Sequence, residues 1–145
     1  MENRMKIEFK SLSVNESFAR TAVVGFFAEL DPTVEELAEI KTSVSEAVSN
    51  AIIHGYKNNQ EGIVTVECSY ENNGKIMISV EDKGVGIADV KQAMEPLFTT
   101  GSTEERAGMG FTVMESFNDH IEVYSEVNKG TKVTMTKKLD VEYGA

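Results

Sequence analysis

Two runs of alternating apolar and polar residues, roughly Ile63–Tyr70 and Lys75–Glu81, meet at Asn72-Asn73-Gly74. Alternation with period two buries one side of a strand and wets the other, and Asn-Gly supplies the backbone freedom of a tight hairpin turn. A second pair, Ile121–Val127 and Thr131–Leu139, turns at Asn128-Lys129-Gly130. Two such hairpins commit much of the chain to an antiparallel sheet. Lys6–Val14, with Ile7, Phe9 and Leu12 apolar, reads as one strand more.

Elsewhere the period is helical. Ser13 and Glu16 have capping-box spacing and open a helix with Phe18, Ala22, Val23, Phe26 and Phe27 on its apolar side. Asp31-Pro32-Thr33 starts a second, since Asp caps well and Pro suits a first turn. Val34, Leu37, Ile40, Val44, Ala47, Ala51 and Ile52 keep its period to about His54, and Gly55 ends it. Residues 84–108 are punctuated by glycine, threonine and proline, with at most a short helix at Asp89–Met94, and a third helix runs from about Met109 to Phe117. The order β-α-α-β-β-loop-α-β-β predicts an α/β (α+β) two-layer sandwich with its helices on one face of the sheet. The bare face must then be polar or take a partner.

The length of 145 residues fits one domain, 1–145, large enough for a real core, and 41% apolar with 26% charged residues is ordinary globular composition. Against 14 basic residues stand 24 acidic ones, a formal charge of −10, which repels phosphate-rich partners and argues against direct nucleic acid binding. Such a surface suits a basic protein partner or simply solubility. No apolar run approaches the roughly 18–20 residues of a membrane span, and no signal-peptide core follows Met1, so no membrane and a cytoplasmic location are expected. A single cysteine, Cys68, offers neither an internal disulfide nor a metal cluster, and its alternating surroundings make it a small half-buried strand residue.

Three clusters stand out from this framework. Glu46, Asn50 and His54 recur every four residues on the second helix, so they share one stripe. The stripe is flanked by small Ser43, Ser45, Ser49 and alanines rather than long charged chains, which marks a pocket wall. Asp82-Lys83-Gly84-Val85-Gly86 follows directly on an apolar strand. Gly108-Met109-Gly110 opens a helix after Phe98-Thr99-Thr100-Gly101-Ser102-Thr103-Glu104-Glu105-Arg106, and bare amides at a helix start attract anions. Any one cluster is weak; all three in this order are strong.

Glu46-xxx-Asn50, Asp82-x-Gly84-x-Gly86 and Gly108-x-Gly110, with Gly130-Thr131 near the end, resemble the N, G1 and G2 boxes of the GHKL ATPase/kinase superfamily. The resemblance covers roughly Thr33 to Leu139 and implies a Bergerat-type fold with a mixed, mostly antiparallel sheet. It further implies that Asn50 coordinates Mg²⁺, Asp82 accepts from the adenine amino group, and Gly84 and Gly86 let the backbone approach the base. Phe98–Gly110 would be the ATP lid, with Thr99, Thr100, Gly108, Met109 and Gly110 near the phosphates, and Thr131 would assist near the adenine.

Phrases such as Asn15-Glu16-Ser17-Phe18-Ala19-Arg20, Ser45–Tyr56 and Pro96-Leu97-Phe98-Thr99-Thr100 are similar over nearly the whole length to the small anti-sigma factor serine kinases. That resemblance implies a homodimer that holds and inhibits a sporulation sigma factor of RNA polymerase with ATP bound. An anti-anti-sigma factor competes and is phosphorylated on serine, with ATP/ADP and Mg²⁺ as cofactors. The residues narrow the choice independently. There is no Gly-Lys-Ser/Thr phosphate loop and no His-Arg-Asp or Asp-Phe-Gly set. With only His54 and His120, one in the pocket helix and one starting a strand, neither a dimerisation segment carrying a phosphorylatable histidine nor the further domains of gyrase- or Hsp90-like machines are expected.

A carboxylate one helical turn from the Mg²⁺ ligand, Glu46, is the candidate base for a hydroxyl attacking the γ-phosphate. Arg106, the only arginine near the lid glycines, is a candidate γ-phosphate contact; a solvated loop arginine reads equally well. His54 reads as a structural hydrogen-bonding residue at the helix end. Arg20, a lone cation beside Phe18 and Phe26, is the candidate partner contact, with a plain surface arginine as the alternative. A nucleotide-gated binding module without turnover remains the second functional class.

Overall fold

The structure, a computed structural model, describes residues 2–95 and 110–141. Both hairpins form. The strands are β1 (Glu2–Lys10), β2 (Ile63–Glu71), β3 (Lys75–Asp82), β4 (His120–Glu126) and β5 (Gly130–Lys138), joined in one sheet of order β1-β2-β3-β5-β4. The helices are α1 (Val14–Phe27), α2 (Val34–Asn50), a short α3 (Val90–Ala93) and α4 (Phe111–Phe117). A 3₁₀ turn at Ala28–Leu30 follows α1, and a turn with π-helical bonding at Ala51–Gly55 prolongs α2.

Where a mixed sheet was expected, all four pairings are antiparallel and no parallel pair occurs among the described residues. The connections explain this. The two helices between β1 and β2 return the chain to the end where β1 finished, and the Ser11 amide donates to the Gly62 carbonyl at 2.9 Å there. β3 and β4 do point the same way, but β5 lies between them and pairs with both.

Three local expectations are corrected. The Leu12 amide turns back onto the Lys10 carbonyl at 2.7 Å, a three-residue turn that ends β1 before Leu12 and Val14. The capping box lies not at Ser13–Glu16 but at α2, where Thr33 Oγ1 accepts from the Glu36 amide at 3.1 Å and Glu36 Oε1 from the Thr33 amide at 2.9 Å. Ser13 has helical backbone angles and makes no side-chain cap, and the Glu16 carboxylate is engaged by Arg20 at 3.4 Å. Asp31 does not cap either: at φ 50° it closes the 3₁₀ turn.

The core lies between one sheet face and the helices. Val64, Val66, Cys68 and Tyr70 of β2 and Ile76, Ile78 and Val80 of β3 meet Ala19, Val23 and Phe27 of α1 and Ile40, Val44 and Val48 of α2. Cys68 is fully buried rather than half-buried, and burial pushes its thiol up to about 12, so it is no nucleophile. The stripe of α1 is centred one residue further along than expected, leaving Phe18 54% exposed with only an edge-on contact to Phe9.

The face turned away from the helices is polar. One transverse row reads Lys6, Glu67, Ser79, Thr134, Glu122, and the next Glu8, Thr65, Glu81, Lys132, Tyr124. Alternating charge and hydroxyls satisfy this face against water without a second layer of helices.

Small polar contacts fix α4 on this frame. Asn118 Nδ2, just past α4, reaches the Met114 carbonyl at 2.7 Å and Ser43 Oγ at 3.1 Å. Lys137 Nζ bridges Glu39 at 2.9 Å and the Phe117 carbonyl at 2.8 Å, a cation at the helix C-terminus.

Thr33→Ala should lower stability by about 1 kcal/mol, the usual cost of losing an N-cap, in urea denaturation at neutral pH. Partial burial works to raise the Glu36 carboxyl, but the amides of Asp140 and Thr33, the Thr33 hydroxyl and nearby Lys137 together hold it below the usual glutamate range. Because the folded value is the lower one, Glu36 contributes stability above its unfolded value and loses it as pH falls through the folded one. Glu36→Gln should therefore flatten the acid side of the stability profile relative to the parent.

Candidate functional site

A cavity of about 250 Å³ opens where the end of α2 meets β3, β5 and the loop after β3. Its walls are apolar: Ala47, Ala51, Val80, Ile87, Phe111 and Val133. Its polar groups come from Asn50, His54, Lys57, Asp82 and Thr131. Apolar walls with a small set of polar groups suit a heterocycle that is recognised along one polar edge.

Asp82 ends β3 and is only 5% exposed. Burial raises its pKa, the amides of Gly84 and Thr131 pull it back down, and Glu81 raises it again, leaving it above the usual aspartate value. The Gly84 amide lies 2.9 Å from Oδ1. Two backbone donors thus hold the carboxylate as a fixed acceptor at the base of the slot.

The two glycines of the Asp82 loop have packing reasons. A Cβ on Gly84 would run into the Gly55 carbonyl, and one on Gly55 into the Asp82 carboxylate. The Val85 amide donates to that same Gly55 carbonyl at 2.9 Å. Gly86, at φ 75°, lies against the Glu126 carbonyl, while Asn128 donates its amide to the Val85 carbonyl at 2.8 Å. The loop is clamped between the end of α2 and the β4–β5 turn. Of the two, Gly86 lines the cavity and Gly84 does not.

The π-helical turn sets up this clamp. Tyr56 donates its amide to the Ala51 carbonyl at 2.9 Å, five residues back, and the wider turn carries Gly55 onto the loop. The Tyr56 hydroxyl donates to the Ile63 carbonyl at 2.5 Å and accepts the Lys83 amide at 2.7 Å, tying β2 to the same loop.

Glu46 lies one turn before Asn50 on α2 and does not line the cavity. Its carboxylate meets the start of α4, where a Cβ on Gly110 (φ 62°) would collide with it. Burial alone raises its pKa above the ordinary glutamate value. Asn50 is buried, at 8% exposed.

The described residues contain no group of three or more His, Cys, Asp or Glu side chains able to hold a metal. The buried Asn50 side chain, offering one amide oxygen, instead suits Mg²⁺ that arrives with phosphate oxygens and water as its remaining ligands. Thr99, Thr100, Arg106, Gly108 and Met109 lie outside the described residues. Arg20 is on α1, away from the cavity, and is paired with Glu16 rather than alone.

Sequence reasoning missed Ser125 of β4. Its hydroxyl lies 2.8 Å from Thr131 Oγ1, accepts the Ile87 amide at 2.7 Å and donates to the Gly130 carbonyl at 3.1 Å. The available signal was its place in the final hairpin, directly opposite Thr131. Lys57 and Ile87 also line the cavity and carry no motif that would have exposed them.

The family described as histidine kinase-like ATPase domain matches residues 12–137. An anti-sigma F factor of Lysinibacillus sphaericus is 58% identical over 139 residues, covering 96% of this chain and 94% of that protein. One of Clostridium perfringens (strain SM101) is 55% identical over 140 residues, covering 97% and 99%. Among solved structures, the RsbU and RsbW domains of a Mycobacterium tuberculosis protein superpose with a TM-score of 0.66 at 20% identity, over 94% of this chain and 32% of theirs, a likeness of fold. The chain belongs to the histidine kinase-like ATPase family and, within it, to the anti-sigma F factors.

Proposed function

We propose that this chain is an anti-sigma factor and ATP-dependent protein-serine kinase: with ATP bound it holds a sporulation sigma factor, and it phosphorylates an anti-anti-sigma protein on serine. The observation that carries the reading is the buried Asp82 carboxylate, aimed by two backbone amides into an apolar-walled slot. An acceptor so fixed suits the exocyclic amine of adenine. The relatives' shared name supports the sigma-factor half of the reading. A homodimer, a cytoplasmic location and a partner contact through Arg20 belong to the same proposal; no described helix is long and apolar enough to cross a membrane.

With adenine against Asp82 and Thr131, the phosphates run toward Asn50 and the start of α4, where Glu46 sits. There the serine hydroxyl attacks the γ-phosphorus, its proton passes to the Glu46 carboxylate, and the bond to the β–γ bridging oxygen breaks to release ADP. Mg²⁺ held at Asn50 would supply charge neutralisation on the phosphates. Burial, by raising the Glu46 pKa, makes its carboxylate a stronger proton acceptor than an exposed one.

Incubation with γ-labelled ATP and the anti-anti-sigma protein tests the reading, since a binding module without turnover leaves the label on ATP. Glu46→Ala should slow transfer by ~10²–10⁴-fold while largely sparing ATP binding; transfer at the parent rate would remove Glu46 as base. In the parent, transfer should fall on acidification through a pKa above the ordinary glutamate value, because the protonated carboxyl cannot accept. Asp82→Asn should weaken ATP binding by roughly 1.5–3 kcal/mol, the contribution of a hydrogen bond to a charged group, and should lower discrimination against GTP. Unchanged affinity and selectivity in calorimetry would take Asp82 out of the pocket.

A further inference from the structure

We propose that Ser125, which does not line the cavity, is a specificity-determining positioning residue that fixes the Thr131 hydroxyl as an acceptor toward the ligand and so selects an aminopurine over an oxopurine. The inference rests on the nucleotide reading of the site.

The assignment comes from counting protons. A serine hydroxyl carries one hydrogen and two lone pairs. The Ile87 amide can only donate, so it occupies one lone pair of Ser125 Oγ at 2.7 Å. The Gly130 carbonyl can only accept, and Ser125 is placed to donate to it at 3.1 Å. Ser125 then has one lone pair left, and Thr131 Oγ1 lies 2.8 Å away. Thr131 must fill it with its own hydrogen. The reverse assignment takes the Ser125 hydrogen away from the Gly130 carbonyl and leaves the Thr131 hydrogen no protein acceptor among the described residues, where Ser125 is the one partner given for that hydroxyl.

Once its hydrogen is committed to Ser125, the Thr131 oxygen offers the cavity lone pairs alone. Asp82, held by the Thr131 amide, offers lone pairs too. The polar edge of the slot therefore presents two acceptors side by side, contributed by the paired positions Asp82 and Thr131 of β3 and β5. An exocyclic amine donates to such an edge, whereas a ring carbonyl at the same position sets lone pair against lone pair. A free threonine hydroxyl would turn its hydrogen toward the carbonyl and erase part of that penalty. Ser125 prevents the turn from outside the cavity.

Calorimetric titration of the full chain with ATP and with GTP, each with Mg²⁺, tests this alongside thermal unfolding of every variant. Ser125→Ala should cut the ratio of ATP to GTP affinity by up to about tenfold, the weight of one neutral hydrogen bond. Ser125→Thr, which restores the hydroxyl, should recover the parent ratio. In a Thr131→Val background, Ser125→Ala should change the ratio no further, because no hydroxyl remains to be oriented. Should the alanine variant not fold, Ser125→Cys fills the space with a far weaker hydrogen-bonding group and reads the same ratio. A parent-like ratio in the alanine or cysteine variant, or an equal change with and without the Thr131 hydroxyl, overturns the role of Ser125 and leaves the nucleotide reading standing. A parent that binds neither nucleotide overturns both.

Discussion

The site depends on a contact of backbone with backbone, where the end of α2 meets the loop that follows β3. Gly84 lies so close to the Gly55 carbonyl that it leaves no room for a Cβ, a Cβ on Gly55 would meet the Asp82 carboxylate, and the Val85 amide bonds to the Gly55 carbonyl across the junction. Polar backbone groups buried at such a junction must find partners, and here they find each other. The contact sets the distance between the helix carrying Asn50 and the strand carrying Asp82. Tyr56 reinforces it from behind by bonding to both β2 and Lys83. The extra residue in the helical turn at Ala51–Gly55 is what permits the approach, because an ordinary α-turn would direct Gly55 elsewhere.

The opposite wall is built by different means. α4 spans only seven residues, too short to hold its place by helical propensity. Phe111 and Met114 bury its inner side, while Asn118 and Lys137 tie its end to α2 and β5. Gly110, the residue just before it, is pressed against Glu46, so the two sides of the site touch at the carboxylate. The sheet beneath carries the rest, and its polar outer face frees every helix to cover the inner one.

Most of the architecture was legible because it rests on short-range pattern. Alternation and Asn-Gly turns located four of the five strands to within one residue or so at each end, and helical period located α1, α2 and α4. Capping was read less well: Ser13 and Asp31 looked like caps, but Glu16 found Arg20 instead and the chain turned left-handed at Asp31. Polar side chains choose among neighbours that only the folded state supplies. The same limit applies to the site. Glu46, Asn50, Asp82, Gly84, Gly86 and Thr131 are marked by spacing, and the fold brings Asn50, Asp82, Gly86 and Thr131 to one cavity. That Gly84 serves the Gly55 junction, and that Ser125 bonds to Thr131, are tertiary facts with no local signature.

The strand order has a consequence for how such a chain emerges during synthesis. β5 is the last strand in sequence, yet it occupies an inner place, with β3 on one side and β4 on the other. Until it arrives, β3 has a bare edge exposed to whatever other strand is nearby, and β4 has no sheet to join. Closing that gap requires pairings between segments distant along the chain, the slow kind of folding step. Thr131 and Val133 enter with β5, so the pocket is completed in the same event that seals the sheet. A nascent or partly unfolded chain therefore lacks the site altogether, and any ligand that fits it acts as a clasp on the finished sheet, favouring the state in which the last strand is home.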